Sequence, residues 1–228
     1  MIVLWVFRAN ADVPMLDSHA VKAGLTLAYT DNFDRKDAKD LGKGWSEAAQ
    51  DGVVNEQISH HRLYFEIPRG QDNPWGSATL DLSDPSILGH GLHPGDYFEV
   101  TVRRLSREGS LGVELFDSDQ LRAGSAIVRG ESPLMAWNGT TWMPIAFDKK
   151  GAPVKFDWNG THTIGIYFDS ADGQHAVFSY YLDGHPFGYW TVNLPDTELD
   201  KIGVYAQSKA ADASFEFRDV KVYTIPRA

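Results

Sequence analysis

The sequence predicts an all-β fold, a β-sandwich of two antiparallel sheets. Short alternating or apolar runs rich in Val, Ile, Phe, Tyr and Thr recur along the chain, and dipeptides typical of tight hairpins, such as Asp183-Gly184, separate some of them. No long segment shows the 3.6-residue apolar period of an amphipathic helix. Because a parallel α/β fold would need helices between its strands, these observations favour the antiparallel sandwich.

The predicted strands follow one another from residue 25 to the end of the chain. They are Leu25–Asn32, His61–Ile67, Ala78–Leu82, Tyr97–Leu105, Leu111–Phe116, Ser125–Arg129, Thr163–Phe168, Gln174–Leu182, Phe187–Val192, Lys201–Ala206 and Phe215–Tyr223. Asn138-Gly139 and Asn159-Gly160 are predicted to be further hairpin turns. The connections 68–76, 84–96 and 145–153 exceed hairpin length, and long connections in compact domains often carry function.

The length and composition fit one folded domain. A chain of 228 residues suits a single sandwich, since all-β domains can reach roughly 200–250 residues without splitting. With 43% hydrophobic and 23% charged residues, the composition is unlike that of a disordered chain. We predict a sandwich domain over residues 25–228, preceded over residues 1–24 by a segment that is either a signal remnant or an extra strand. We expect an extracellular, periplasmic or cell-surface location.

The net charge of −10 disfavours two classes of partner. A negative field repels phosphate backbones and anionic lipid surfaces, so nucleic acid is not expected as a partner. No stretch approaches the roughly 20 apolar residues of a membrane span, so membrane insertion is not expected. The absence of cysteine excludes disulfides, thiolate metal sites and cysteine nucleophiles. Neutral glycans suit this charge better than polyanionic ones, and the oligomeric state stays open.

The closing strand changes phase at Asp219. Phe215 and Phe217 mark one apolar face, whereas Val220 and Val222 have the opposite parity. If both pairs are buried, an extra residue must re-aim the chain between them. A β-bulge is therefore predicted near Asp219.

Several segments, read in order, resemble one superfamily of sandwich proteins. They are Thr30-Asp31-Asn32-Phe33-Asp34 with Leu41-Gly42-Lys43-Gly44-Trp45, then 52–67 (GVVNEQISHHRLYFEI), 95–103 (GDYFEVTVR), 158–168 (WNGTHTIGIYF), 178–187 (FSYYLDGHPF) and 215–223 (FEFRDVKVY). With these segments the chain resembles the concanavalin A-like lectin/glucanase superfamily, in particular its laminarinase-like members. The resemblance implies a concanavalin A-like jelly roll over most of the chain.

The chain departs from that superfamily at the catalytic motif. Its glucanases carry carboxylates on alternate residues of one strand, which places an acid/base and a nucleophile on the same face. The nearest string here runs from Glu114 to Asp119 (ELFDSD), so the candidate catalytic residues are Glu114, Asp117 and Asp119. Because Glu114 and Asp117 point to opposite faces of a regular strand, a strand that ends in an acidic turn is the favoured interpretation. Residues 57–60 (QISH) resemble only part of a lyase motif.

The same resemblance implies a structural calcium ion. In the family, the closing aspartate and oxygens near the first strand hold this ion. We therefore predict that the first and last strands lie side by side and that Asp219, Asp31 and Asp34 contribute to a calcium site. The alternative is a salt bridge or a cap without metal.

A candidate ligand face follows from strand alternation. If the apolar residues of 61–67 and 97–103 face the core, the other side chains face outward. Aromatic rings beside carboxylates and arginine suit a sugar site, although an ordinary solvated sheet face has the same composition. The candidate ligand residues on these strands are Tyr64, Glu66, Tyr97, Glu99 and Arg103.

The tryptophans form two predicted groups. Those within or beside strands are expected in the core: Trp45, Trp158 and Trp190. Those that adjoin Pro, Asn-Gly or Thr-Thr in predicted loops are candidates for stacking on sugars: Trp75, Trp137 and Trp142.

Three functions remain open on this basis. The first is a glycan-binding or glycan-associated module, because the fold resemblance is broad and the hydrolytic motif is missing. The second is a polysaccharide hydrolase or lyase with an atypical residue set. The third is a structural or assembly domain of a surface or particle protein, since fold alone does not determine function.

Overall fold

The computed structural model describes most of the chain. The described residues are 16–49, 55–68, 74–106, 108–117, 123–129, 133–148, 150–155, 157–194, 197–208 and 212–227. Residues 1–15, which make up most of the predicted N-terminal segment, lie outside them.

One short helix and a succession of strands make up the described chain. The helix is α1 (Ser18–Lys22), and the strands are β1 (Thr26–Asp31), β2 (Trp45–Ala49), β3 (Asn55–Ile58), β4 (Leu63–Ile67), β5 (Trp75–Asp81), β6 (Tyr97–Arg104), β7 (Ser110–Phe116), β8 (Ala126–Arg129), β9 (Leu134–Trp137), β10 (Trp142–Pro144), β11 (Gly160–Ala171), β12 (His175–Leu182), β13 (His185–Asn193), β14 (Lys201–Gln207) and β15 (Ala213–Thr224). Within the described residues, no helix is long and apolar enough to cross a membrane.

The strands form two antiparallel sheets, as the sequence predicts. Sheet 1 has the order β13-β12-β11-β6-β15-β4-β3, with β1 also paired to β15, and sheet 2 has the order β10-β9-β8-β7-β14-β5-β2. Alternate residues of both sheets point between them and form the core, and within sheet 1 the rings of Phe65 on β4 and Phe217 on β15 have centroids 5.4 Å apart. Burial of this apolar surface is the main stabilising contribution to the fold.

The long closing strand β15 pairs with two different strands along its length. Residues 213–217 pair with β4, and residues 220–224 pair with β1. Between them the register with β6 shifts and Asp219 has a φ of 50°, so Phe217 and Val220 are both buried despite their opposite parity. The predicted bulge and the pairing of the first strand with the last are both confirmed.

Two of the predicted hairpin turns are confirmed and one is wrong. Asp183 and Gly184 both have positive φ and join β12 to β13, as a type I′ turn requires. Asn138 opens the turn between β9 and β10 by accepting hydrogen bonds at its Oδ1 from two backbone N–H groups. Asn159-Gly160 is not a hairpin turn, because Gly160 is the first residue of β11, whose neighbours are β6 and β12.

Some elements are absent from the predicted set. The strands β2, β3, β9 and β10 are only three to five residues long, and β2 and β3 are polar edge strands without a clear alternation. Trp45 and Trp158 are buried as predicted, and the half-buried Trp190 packs against the core.

Candidate functional site

Three tryptophans share the outer face of sheet 2, and two of them are in contact. Ala78 and Leu80 of β5 and Leu134 and Ala136 of β9 belong to the core, so the alternate residues, which include Trp75 and Trp137, point away from it. Trp142 of β10 pairs directly with Trp137 and therefore shares its face. The two indole rings are 5.3 Å apart in an edge-to-face arrangement.

Glu114 lies in the same cross-strand row as that tryptophan pair. It lies on β7, where Val113 and Leu115 face the core, so its side chain belongs to the outer face. The register of β7 and β8 places Ser125 beside it, and the Ser125 carbonyl accepts the Trp137 backbone N–H. On its other side, Glu114 pairs with Gly203 of β14.

The burial of Glu114 is unusual for a carboxylate on an outer sheet face. Only 3% of the residue is exposed, although burying a charged group is costly unless it is well partnered. Its cross-strand neighbour Gly203 has no side chain, and a Cβ placed there would lie 3.8 Å from the Glu114 Cβ. The same Cβ would lie 3.1 Å from Thr79 Cγ2 and 3.3 Å from the Ala78 carbonyl oxygen, so the sheet is closely packed around Gly203.

Tyr205 extends the aromatic residues toward Trp75. Ile202, Val204 and Ala206 of β14 belong to the core, so Tyr205 points outward between the rows of Glu114 and Trp75. Sequence reasoning missed Tyr205, although the alternation in residues 201–207 (KIGVYAQ) is the signal that could have found it. We call the set Trp75, Tyr205, Glu114, Trp137 and Trp142 the tryptophan face.

The tryptophan face crosses most of sheet 2. Trp75 on β5 and Trp137 on β9 are four strand positions apart in the sheet order. At the usual strand spacing this corresponds to roughly 19 Å across the sheet. The face is therefore long enough to contact more than one unit of an extended ligand.

The remaining candidate ligand residues lie on the outer face of sheet 1, away from the tryptophan face. Their outward direction agrees with the prediction, but Tyr97 and Glu99 are buried beneath α1. Lys22 of this helix donates to Glu99 Oε2 at 2.8 Å, and its Nζ lies 5.3 Å from the centre of the Tyr97 ring. Burial and the nearby Glu99 carboxylate raise the pKa of Tyr97. These two side chains are covered in the structure and offer no surface to a sugar.

Tyr64, Glu66 and Arg103 lie further along the same face. Arg103 is 3.7 Å from Glu216 of β15, which also accepts a 2.6 Å hydrogen bond from Arg62. Tyr64 pairs with Glu216 across the sheet, and Glu66 is exposed. This arrangement is an ordinary cross-strand ion-pair group on a solvated face.

Of the candidate catalytic residues, Glu114 and Asp117 do not form a pair on one face of β7. The outward positions on either side of Glu114 are Gly112 and Phe116, so within β7 no second carboxylate shares its face. Asp117 follows the end of the strand and is buried. Asp119 lies outside the described residues.

The candidate calcium ligands Asp219, Asp31 and Asp34 have separate surroundings. Asp219 and Asp34 have side chains that are 41% and 67% exposed, and they lie 3.8 Å from Arg218 Nε and 2.8 Å from His61 Nδ1. Asp31 is buried and ion-paired with Arg35. Within the described chain, no three His, Cys, Asp or Glu side chains are grouped to hold a metal ion. Although burial works to raise the pKa of Asp31, the Arg35 guanidinium and the Phe33 amide hold it below its usual range.

No family model and no curated protein matches the sequence, whereas solved structures match the fold. A sialidase aligns with a TM-score of 0.62 at 10% identity over 94% of this chain, but over only 19% of the sialidase chain. The laminarinase catalytic domain from Thermotoga petrophila RKU-1 aligns with a TM-score of 0.59 at 10% identity, covering 89% of this chain and 99% of its own. The carbohydrate recognition domain of Emp46p, in a potassium-bound form, aligns with a TM-score of 0.51 at 19% identity, covering 79% and 88%. The chain therefore has the concanavalin A-like lectin/glucanase fold.

Proposed function

We propose that the tryptophan face binds a carbohydrate. The observation that carries this proposal is that three tryptophans from separate segments, β5, β9 and β10, lie on one outer face with a buried carboxylate among them. Indole rings offer flat apolar surfaces to the C–H faces of sugars.

The charge of the chain favours a neutral glycan. The net charge of −10 and the carboxylate of Glu114 on the face itself both oppose polyanionic sugars. The fold neighbours support a carbohydrate ligand, since one is named a carbohydrate recognition domain and another a laminarinase. An extracellular, periplasmic or cell-surface location would bring the protein to such glycans.

Binding is favoured over hydrolysis by the geometry around Glu114. Glycoside hydrolysis usually requires two carboxyl groups that flank one bond, at roughly 5–10 Å from each other. The outward neighbours of Glu114 on β7 are instead a glycine and a phenylalanine. The proposed role is therefore recognition by the aromatic rings, since the buried Glu114 offers almost no surface to a sugar.

The test is a neutral-glycan array followed by titration calorimetry on the best ligand. We expect Trp137→Ala to weaken binding by roughly 2- to 13-fold, because one aromatic contact is worth roughly 0.5–1.5 kcal/mol. Tyr64→Ala on the outer face of sheet 1 is the matched control, and it should leave the affinity unchanged. A reducing-end assay on the same samples tests the hydrolase alternative.

Two results would contradict the proposal. One is binding that Tyr64→Ala abolishes and Trp137→Ala leaves intact, which would move the site to sheet 1. The other is release of reducing ends that Glu114→Gln abolishes, which would make the protein an enzyme.

A further inference from the structure

Asp31, the last residue of β1, lies at the seam between the first and last strands. It pairs with Val220 of β15, just after the bulge. Its side chain is fully buried. A charge in this position needs a partner of opposite sign, because leaving a carboxylate buried and unpaired is strongly unfavourable.

Four hydrogen bonds saturate the carboxylate of Asp31. Oδ1 accepts from the Phe33 backbone N–H at 2.9 Å and from Arg35 Nη1 at 2.8 Å. Oδ2 accepts from the same Arg35 nitrogen at 3.0 Å and from Trp45 Nε1 at 3.1 Å. An ionised carboxylate has about four lone-pair sites, so none is left for a metal ion. Two of these donors, the backbone amide and the indole N–H, have no lone pair with which to bind a metal ion.

Arg35 also binds a backbone carbonyl oxygen, which is a type of group that could coordinate a metal cation. Its Nη2 donates to the Leu41 carbonyl oxygen at 2.6 Å, and its guanidinium lies 5.0 Å from the centre of the Phe33 ring. One side chain thus joins the end of β1 to the segment that leads into β2. The planar fork of arginine suits this bridging role, which a point charge fills less well.

We propose that the Arg35 guanidinium takes the place of a structural cation in this chain, so that closure of the first strand on the last needs no divalent metal. The calcium ion that the fold family implies does not fit the residues present, because the buried carboxylate is fully occupied and Asp34 and Asp219 face solvent. The inference concerns stability and is independent of the carbohydrate proposal.

Thermal unfolding of the full chain with excess calcium and with chelator tests this inference. We expect the two wild-type curves to superimpose. Arg35→Met should lower Tm by roughly 6–20 °C, since it removes the closest partner of the buried Asp31 and leaves only the exposed Lys43, whose Nζ lies 3.5 Å from Asp31 Oδ1. Arg35→Lys keeps the charge but loses the planar fork, so its Tm should lie between those of wild type and Arg35→Met. If Arg35→Met does not fold, the comparison of Arg35→Lys with wild type still tests the proposal. Arg62→Met breaks a partly exposed ion pair with Glu216 and should lower Tm by only a few degrees.

Terbium luminescence provides a second measurement. Trp45 Nε1 is 3.1 Å from Asp31 Oδ2, so this indole would sensitise a lanthanide bound at the carboxylate. We expect no terbium emission that depends on Asp31. Emission that Asp31→Asn abolishes would overturn the proposal. In the unfolding experiments, a calcium-dependent rise in wild-type Tm would do the same. So would an Arg35→Met variant as stable as wild type, or an Arg35→Lys variant no more stable than Arg35→Met.

Discussion

Replacement of Glu56 by glutamine should stabilise the protein at neutral and alkaline pH. Glu56 pairs with the buried Phe65 across β3 and β4, so it points toward the interior, and only 7% of the residue is exposed. Neither carboxylate oxygen accepts a hydrogen bond. Burial, and then the neighbouring Glu47 carboxylate, raise the pKa of Glu56 from 4.5 to about 8, which the more distant Ser77 backbone N–H offsets only in part.

The sign and size of the effect follow from proton linkage. Between pH 4.5 and about pH 8 the folded state retains a proton that the unfolded state has lost, so stability falls as pH rises through this range. Each pKa unit corresponds to about 1.4 kcal/mol. The penalty that Glu56 imposes is then at most about 3 kcal/mol at pH 7 and about 5 kcal/mol above pH 8.

Urea unfolding at a series of pH values measures this penalty. The stability difference between Glu56→Gln and wild type should be small near pH 5 and should grow with pH. Glu66→Gln, on the exposed face of neighbouring β4, is the control and should leave the profile unchanged. Parallel pH profiles for Glu56→Gln and wild type would show that Glu56 titrates normally and would refute the argument.

Three further substitutions test the fold and the site. Phe217→Ala should lower the free energy of unfolding by about 3–5 kcal/mol in chemical denaturation, because it removes a fully buried ring in edge contact with Phe65; a loss below 1 kcal/mol would argue against this core. Asp183→Ala should cost about 1–2 kcal/mol, since it places alanine at a φ of 52° and removes the acceptor of the Thr163 N–H; Asp183→Asn, which tolerates that φ, should cost less. Gly203→Ala should weaken glycan binding by adding a methyl group to the tryptophan face, and it should also lower Tm, because its Cβ would lie 3.1 Å from Thr79 Cγ2 and 3.3 Å from the Ala78 carbonyl oxygen; unchanged affinity by calorimetry would place the sugar elsewhere.

The bulge in β15 could be predicted because its signal is local. Two apolar pairs of opposite parity lie within eight residues, and only an extra residue between them can bury both. The pairing of β1 with β15 was predicted differently, from the family resemblance and not from any pattern within the strands. A local phase change and a broad resemblance thus account for the correct part of the predicted architecture.

The tryptophan face could be predicted only in part. The polar and turn-forming neighbours of Trp75, Trp137 and Trp142 predict positions in loops, and nothing in them indicates that the three residues share one sheet face. The strands that carry Trp137 and Trp142 are four and three residues long, too short for an alternation to reveal direction. Which face a residue shares with distant strands depends on register, and register is a property of the folded sheet.

The covering of Tyr97 and Glu99 could not be predicted from the sequence. Their outward direction follows from alternation in β6, but the helix that covers them comes from far away in the chain. Lys22 and Glu99 are 77 positions apart, and no local pattern links them. Tyr97 and Glu99 have side chains that suit a sugar site, but the distant helix α1 makes them inaccessible.

The division of β15 between β4 and β1 has a consequence for the order of folding. The half of β15 that pairs with β1 joins the beginning of the described chain to its end, and contacts of such long sequence separation form slowly, because the loop-closure entropy must be lost first. Hydrogen exchange should therefore show the amides of β1 opening before those of the centrally placed β6 and β11. Since β1 and β15 also bring the two ends of the fold together, a circular permutant that links them and opens the exposed turn at Gly173 should retain the native sheets.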